Sequence, residues 1–387
     1  MPSTDHSTVS STIPGTISST ISSTMPSTSN SSATRLHQRP IHERIDALLA
    51  LSRQHAEHFC SPDAWLARQR YLAQHPTSLL VMKCMDGRIH LPHATRTPLG
   101  IITPFRNLGG IFDLGWPYLG ELLTDSVLAA AQQGRGTLMC ITYHYSAGQP
   151  QRGCAGFGCD TAAARAHAYG IAEQAGSLFG KDHQQVYPLV CGFETDSDAL
   201  VIHGKAGAVL DIRDWVGQPA EALAVRLAAV CPDMPDDIRR DLLPLLEGNL
   251  AHVTSLYGTA RALDIEHREW VICIGRGFDF LHLPNTALII GPYGPDLAEP
   301  IGTAADIIAA NMRHGRIPDD GFMLLASTPY QHSGVDRARA ELKSQFLSRF
   351  AAQVIGQRHP ELASKMRPHT AVVHWPTRRL DLLQSNN

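Results

Sequence analysis

Apolar positions recur at helical spacing in two early segments, "IHERIDALLALSRQ" (41–54) and "SPDAWLARQRYLAQ" (61–74). The second segment opens on Ser61 followed by Pro62, a combination typical of a helix N-cap and first turn. We therefore predict two amphipathic helices in this part of the chain, with Ser61 capping the second.

After residue 76 the pattern changes to short apolar runs separated by longer segments with helical spacing. The predicted strands are "SLLVMKC" (78–84), "GIITPF" (100–105) and "TLMCITYH" (137–144), and the predicted helices are "YLGELLTDSVLAAAQQG" (118–134) and "TAAARAHAYGIAEQAG" (161–176). Strands separated by helix-length segments indicate an α/β fold with a mainly parallel sheet. Such a sheet brings the strand ends, hence Cys84 and His144, to one edge, where these folds place their sites.

The second half of the chain repeats the first in the same order, although each echo is short. The paired segments are "VMKCMDGRIHLP" (81–92) with "VICIGRGFDFLHLP" (271–284), "IITPF" (101–105) with "IIGPY" (289–293), "TDSVLAAAQQGR" (124–135) with "ADIIAANMRHGR" (305–316), and "LMCIT" (138–142) with "FMLLAS" (322–327). We predict two related α/β units joined by a helical segment. The alternative is a chance resemblance between generic α/β elements.

These patterns divide the chain into five predicted regions. Residues 1–34 contain 20 Ser or Thr and cannot bury enough apolar surface to fold, so we predict a disordered tail. The other regions are an N-terminal helical segment (35–75), a first α/β domain (76–215), a helical connector (216–262) and a degenerate α/β repeat (263–387).

Composition excludes several classes of function. The chain has 387 residues, a net charge of −3 and 43% hydrophobic residues. With this charge the chain lacks the basic surface expected of a nucleic-acid-binding protein. Its longest apolar runs, such as "ALIIG" near residue 287, are too short to cross a membrane. The N-terminus has no signal-peptide pattern, and eight cysteines in a chain of this length do not suggest a disulfide framework. We therefore expect a cytoplasmic protein.

The candidate chemistry begins at "CMDGR" (84–88), which places Cys84, Asp86 and Arg88 at alternate positions after a strand. His144 follows the third strand, and Cys154 comes ten residues later in a Gly-rich loop. Two thiolates and one imidazole suit zinc and leave a fourth tetrahedral position open, as in catalytic sites. Asp86 can then accept a hydrogen bond from metal-bound water or bind the metal, and Arg88 can hold that carboxylate and decide between the two.

These motifs resemble the β-class carbonic anhydrases, which carry C-x-D-x-R, an R-N-x-G stretch and an H-x-x-C ligand pair. Here the second motif is "FRNLGG" (105–110), and the histidine and cysteine are ten residues apart instead of three. The wider gap and the fused, degenerate second half are similar to the carboxysomal shell branch of that class. The resemblance is specific over residues 80–175 and architectural from residue 265 onward.

The resemblance implies a zinc-dependent enzyme in which zinc-bound hydroxide hydrates CO₂ reversibly to bicarbonate and a proton. It implies Cys84, His144 and Cys154 as zinc ligands and Asp86 with Arg88 as the catalytic dyad. Cys159 is the rival third ligand, and Cys154 is preferred because Cys159 lies at the start of the next helix. For the proton shuttle, His90 and His93 are nearest in sequence, although both read more simply as surface polar residues.

The resemblance also carries expectations about assembly. A β-class fold usually buries one sheet edge against a partner, so the second unit would supply that partner within the chain as a pseudo-dimer, and a homo-oligomer is expected. The shell branch implies a location within a carboxysome, with the N-terminal tail contacting the shell or Rubisco. One zinc per chain is expected, bound by the first α/β domain (76–215) as its catalytic metal and absent from the repeat (263–387). In the repeat Gly275 takes the aspartate position, no cysteine follows Cys273, and His332 is a poor substitute for the missing ligand pair.

Three alternatives remain open from the sequence. The same fold and zinc site can hydrolyse CS₂ or COS, which differ from CO₂ only in replaced oxygens. A zinc-binding structural or assembly module is a different class, and Asp86 and Arg88 beside the ligands argue against it, since a closed structural site does not use them. A thiol enzyme with Cys84 as nucleophile would need a general base, and none is identifiable beside it.

Overall fold

The computed structural model describes residues 36–180, 185–258, 265–276, 278, 281 and 283–384. The predicted disordered tail, residues 1–34, lies outside these ranges. The fold described below is that of His37–Asn387. Within the described ranges, no helix is long and apolar enough to cross a membrane.

The first sheet is built on the predicted strand "SLLVMKC", which forms β1 (Ser78–Cys84) with the same bounds. Successive side chains of a strand point to opposite faces. Leu79 and Val81 accordingly lie in one buried apolar cluster, and Leu80 and Met82 lie in another. Both faces are buried because helices cover both, which is why the strand reads as a continuous apolar run and not as an alternating one.

Six strands form the first sheet in the order β2-β1-β3-β4-β5-β6. The strands after β1 are β2 (Ile102–Asn107), β3 (Thr137–Tyr145), β4 (Val186–Glu194), β5 (Ala199–His203) and β6 (Val209–Asp211). The strands from β2 to β4 are parallel to one another, whereas β5 pairs antiparallel with both of its neighbours.

Five strands form the second sheet in the order β11-β10-β9-β7-β8. They are β7 (Val271–Gly275), β8 (Ala287–Ile290), β9 (Phe322–Tyr330), β10 (Met366–His374) and β11 (Arg379–Leu382). Four of these are parallel, and β11 adds an antiparallel edge. Read from β8 to β11, this order corresponds to β2-β1-β3-β4-β5 of the first sheet. The two sheets are therefore related units, as the sequence echoes predict. The boundaries of the five predicted regions stay a prediction.

One echo is out of register. "IITPF" lies at the start of β2, whereas Ile289 and Ile290 of "IIGPY" are the last two residues of β8. The two units therefore share strand order without sharing residue-by-residue equivalence.

Ten helices of the described ranges flank the sheets. They are α1 (Ile41–Cys60), α2 (Pro62–Gln74), α3 (Leu91–Ala94), α4 (Pro117–Ala131), α5 (Thr161–Phe179), α6 (Ala220–Val230), α7 (Asp236–Leu256), α8 (Ala298–Arg313), α9 (Val335–Arg358) and α10 (Pro360–Ala363). Ser61 caps α2 by accepting a hydrogen bond from the N–H of Ala64, as predicted.

Backbone hydrogen bonds join the two units directly. The N–H of Ile289 donates to the carbonyl of Met85 over 2.9 Å, and the N–H of Gly291 donates to the carbonyl of Arg106 over 2.8 Å. The N–H of Asn285 likewise donates to the carbonyl of Gly87. The edge strand β8 and the residues on either side of it are therefore bonded to the loop that follows β1 and to β2.

The first helix packs against the second sheet, although it precedes the first sheet in the chain. Arg44 is fully buried, pairs with Asp320 and donates to the carbonyl of Gly321 over 3.1 Å. Asp320 also accepts from the N–H of Ile41 over 2.7 Å. The guanidinium carbon of Arg44 lies 5.2 Å from the ring centroid of Trp270. A buried charge of this kind is tolerated only while its partner is present.

We expect Asp320→Ala to lower the free energy of unfolding by roughly 2–4 kcal/mol, because it leaves Arg44 buried without its counter-charge. The measurement is urea-induced unfolding followed by circular dichroism. Asp319→Ala is the matched control: its carboxylate is largely exposed and pairs with Lys365 at the surface, so at most about 1 kcal/mol should be lost. Equal losses in the two variants would show that the Arg44 pair does not hold α1 in place.

Candidate metal centre

Three elements bring the predicted zinc ligands together. Cys84 is the last residue of β1, and His144 is the penultimate residue of β3, which lies beside β1 in the sheet. Cys154 lies in the Gly-rich loop between β3 and α5 and is buried. The loop can approach this closely because Gly156 packs on the backbone of Gly109, where an added Cβ would lie 2.7 Å from its Cα.

The geometry of the cluster fits a zinc ion. One donor atom from each of Cys84, His144 and Cys154 lies within 4.8 Å of the other two, and all three residues are buried. The two sulfurs are 4.0 Å apart, close to the separation of about 3.8 Å that two thiolates adopt on a tetrahedral zinc. Within the described ranges, neither ring nitrogen of His144 has a hydrogen-bond partner. Buried polar atoms seldom lack partners, and a metal ion bound by the cluster would supply one to a ring nitrogen of His144.

The two thiols are electrostatically coupled. Burial opposes ionisation of Cys84, but its hydrogen bond with Cys154 and the neighbouring His144 lower the pKa of the Cys84 thiol well below its usual value. The same hydrogen bond, together with burial, raises the pKa of the Cys154 thiol. A metal ligand must be a thiolate, so a dication that binds both sulfurs displaces their protons and its affinity depends on pH.

Asp86 and Arg88 form a buried pair beside the cluster. Nη2 of Arg88 lies 2.6 Å from Oδ2 of Asp86, and the backbone N–H of Arg88 donates to Oδ1 over 2.8 Å. Burial alone would raise the pKa of Asp86, but the charges of Arg88, His267 and His144 outweigh it and hold that pKa well below the usual range. Asp86 is thus a permanent hydrogen-bond acceptor, with Oδ2 placed 3.8 Å from Nδ1 of His144.

The arginine of the "FRNLGG" stretch shapes the loop that carries this pair. Arg106 is buried and donates to the carbonyls of Asp86 and Ile89 over 2.9 and 2.8 Å, with a longer bond of 3.3 Å to that of Cys84. These bonds tie the end of β1 and the loop that follows it to Arg106 in β2. The motif therefore has a structural role: it fixes the turn that presents Asp86 next to Cys84.

The second unit supplies two residues that the sequence analysis missed. Nε2 of His267 lies 3.8 Å from Oδ2 of Asp86, and its Nδ1 lies 3.0 Å from Oε2 of the fully buried Glu269. Glu269 also accepts the N–H of Gly87 over 3.1 Å. Arg88 donates to the carbonyl of Ile265 over 3.0 Å. The only signal in the sequence is the short "HRE" string before β7, which nothing local connects with Asp86.

The remaining candidates lie elsewhere. Cys159 is outside the cluster, and its Sγ lies 3.3 Å from the carbonyl oxygen of Gln151. The next residue, Asp160, caps α5 by accepting from the N–H groups of Ala162 and Ala163. His90 is buried, whereas His93 is exposed and its ring lies 5.1 Å from that of His252. The sequence analysis named these two histidines because they are near Asp86 along the chain. His267, which it did not name, lies against Asp86 in space.

The comparison with known proteins concerns the same part of the chain. The arrangement defines an α/β protein with a buried Cys₂His centre and an adjacent Asp–Arg pair. Residues 68–221 match the family model of the carboxysome shell carbonic anhydrase catalytic domain, which confirms the predicted resemblance to that branch. The matched segment contains the whole first sheet and all five predicted site residues. No curated protein matched the chain.

We expect Cys154→Ser to lose its zinc and Cys159→Ser to keep most of it. Only the Cys154 sulfur lies near Cys84 and His144, and a serine hydroxyl is a poor replacement for a thiolate. Zinc would be measured in purified, folded samples by elemental analysis, with circular dichroism as the folding check. The reverse pattern would transfer the ligand role to Cys159.

We expect one zinc per chain. In the second sheet Cys273 is fully buried in β7, and its Sγ lies 3.9 Å from the hydroxyl of Ser327. Asp86, His267 and Glu269 form another group close enough to hold a metal, but Arg88, Gly87 and His267 already occupy their carboxylate oxygens. The zinc-to-protein ratio of the full chain is the measurement. A ratio near two would assign a metal to this second group.

Proposed function

We propose that this chain is a zinc-dependent carbonic anhydrase that interconverts CO₂ and bicarbonate. One observation carries the proposal: a buried Cys84–His144–Cys154 cluster has a charged Asp86–Arg88 pair beside it, within the segment that matches the family. The match supports an enzyme of the carbonic anhydrase kind. Zinc as the metal and the roles of the individual residues are our inference from the donor set.

The residues of the chain have separate tasks in this proposal. Cys84, His144 and Cys154 hold the zinc, which when bound supplies the Lewis acidity that makes a water molecule acidic near neutral pH. Arg88 engages both oxygens of Asp86 and so keeps the carboxylate from turning to bind the metal itself. Asp86 is then left to accept a hydrogen bond and orient the attacking group.

Hydration also releases a proton, and His267 is placed to take it. Its ring lies between Asp86 and Glu269, and its side chain is 18% exposed, so it connects the buried carboxylate with solvent. The buried Glu269 accepts from Nδ1 of His267 and fixes the orientation of the ring. In this proposal the second unit completes the site, as a partner subunit would.

The family also supports a location. We propose that the enzyme works with a carboxysome, where hydration equilibrium sets the local CO₂ supply, and that it assembles as a homo-oligomer. Residues 1–34 lie outside the described residues, so contact of this tail with the shell or with Rubisco stays a prediction from the sequence.

We expect the zinc-loaded chain to accelerate CO₂ hydration in a stopped-flow assay at pH 8.5. Asp86→Ala should keep its zinc and lose roughly a hundredfold or more in rate, because it removes the oriented acceptor and leaves the ligands in place. Asp125→Asn, an exposed change on α4, is the control and should match the unchanged chain.

Two outcomes would count against the proposal. A folded, zinc-loaded sample that does not hydrate CO₂ would exclude the activity, and normal hydration by Asp86→Ala would exclude the assigned role. Hydrolysis of CS₂ and COS should be measured on the same samples. Hydrolysis of these compounds without hydration of CO₂ would favour the sulfur hydrolase alternative.

A further inference from the structure

The second unit keeps a cleft where the first unit has its metal centre. Gly275 and Arg276 line it at the carboxyl end of β7, as do residues at the carboxyl ends of β9 and β10. Open α/β sheets place their ligand sites at this edge. The cleft measures about 230 Å³, and α4 of the first unit closes one side with Tyr118. The position is retained although the metal ligands are not.

The wall of this cleft is cationic. Arg276 and Lys343 line it, and the Lys343 ammonium donates to the hydroxyl of Tyr118 over 3.0 Å. The carboxylate of Asp336 also lines the cleft, and its Oδ2 accepts the backbone N–H groups of Gln331 and His332 over 2.7 and 3.0 Å. The one acid is therefore engaged by backbone donors, and two cations face the space.

Behind this wall, guanidinium groups alternate with aromatic rings. The guanidinium carbon of Arg276 lies 5.3 Å from the ring centroid of Phe105 and 5.5 Å from that of Trp375, which also lines the cleft. The guanidinium carbon of Arg378 lies 3.5 Å from the ring centroid of Trp375 and 5.1 Å from that of Phe59. Cation–π contacts of this kind attract a cation without neutralising its charge.

Arg276 and Arg378 each have a buried nitrogen donor without a hydrogen-bond partner among the described residues. Arg378 is 9% exposed, and among the described residues no hydrogen-bond partner reaches its buried Nη1 or the buried Nε of Arg276. Burial, with Arg276 and Arg68 nearby, lowers the pKa of Arg378 to about 9. Buried guanidinium groups are normally matched by carboxylates or other oxyanions. In this cluster no carboxylate of the described residues is paired with either arginine.

We propose that the cleft of the second unit binds a small oxyanion against Arg276, with Arg378 and Lys343 adding positive charge. A planar guanidinium such as that of Arg276 can donate to two oxygens of one ligand at once, and Tyr118 lines the same cleft. Bicarbonate and phosphate share this chemistry. The degenerate unit thus has a ligand site of its own at the position where the first unit has its metal centre.

The test is calorimetric titration of the full chain with sodium phosphate, sodium sulfate and sodium bicarbonate at constant ionic strength, with sodium chloride as the reference anion. We expect saturable binding of at least one oxyanion and a matching rise in thermal midpoint. Binding of bicarbonate alone would identify the product of hydration as the ligand, and binding of phosphate and sulfate would identify a phosphate-like one. Oxyanions that act no differently from chloride would overturn the proposal.

Arg276→Gln should weaken binding at least about tenfold, since it removes a charge-assisted pair of donors. Arg339→Gln is the matched control, because it removes the same charge from an exposed position on α9 outside the cleft and should leave affinity unchanged. If Arg276→Gln does not fold, Arg276→Lys replaces it, with a several-fold loss expected from its single point charge. Full affinity in the Arg276 variant, or an equal loss in Arg339→Gln, would overturn the proposal.

Discussion

The charged carboxylate of Asp86 lies in the interior, and the surrounding structure is arranged to keep it ionised. Removing such a charge from water is costly unless other groups neutralise it and occupy its oxygens. Arg88 does both, and Arg88 is itself held by the carbonyl of Ile265. Arg106 fixes the loop that carries Asp86 and Arg88. The metal centre therefore depends on contacts from outside the strand that carries Cys84.

Several of those outside contacts come from the second unit. Glu269 accepts the N–H of Gly87, and an added Cβ at Gly87 would lie 2.7 Å from the carbonyl oxygen of Ala287. A glycine is needed there because the backbone of the second unit passes so close. The repeat has thus lost its own thiolate pair while remaining part of the wall around the first. The repeat thus contributes to the order of the cluster in the first unit through its backbone and through Glu269.

Shared strand order did not preserve shared chemistry. Both units bring polar or charged side chains to the carboxyl ends of their parallel strands, because that edge is where loops can vary without disturbing the sheet. In the first unit two sulfurs and an imidazole converge there. In the second, Arg276 and Lys343 face the space, and Cys273 is buried within the strand below. One architecture has acquired two electrostatic characters, one suited to a dication and the other to an anion.

The sequence by itself determined the local structure and the donor set. Apolar spacing placed β1 with its correct bounds and the cap at Ser61, and residue chemistry selected Cys84 and Asp86. These follow from neighbours along the chain, since strand period, capping and ligand type are short-range properties. Tertiary structure alone placed His267 against Asp86 across 181 positions and packed α1 on the second sheet through Arg44. Such pairings depend on how two sheets meet, and side-chain pattern carries little of that information because many partners could bury the same surface.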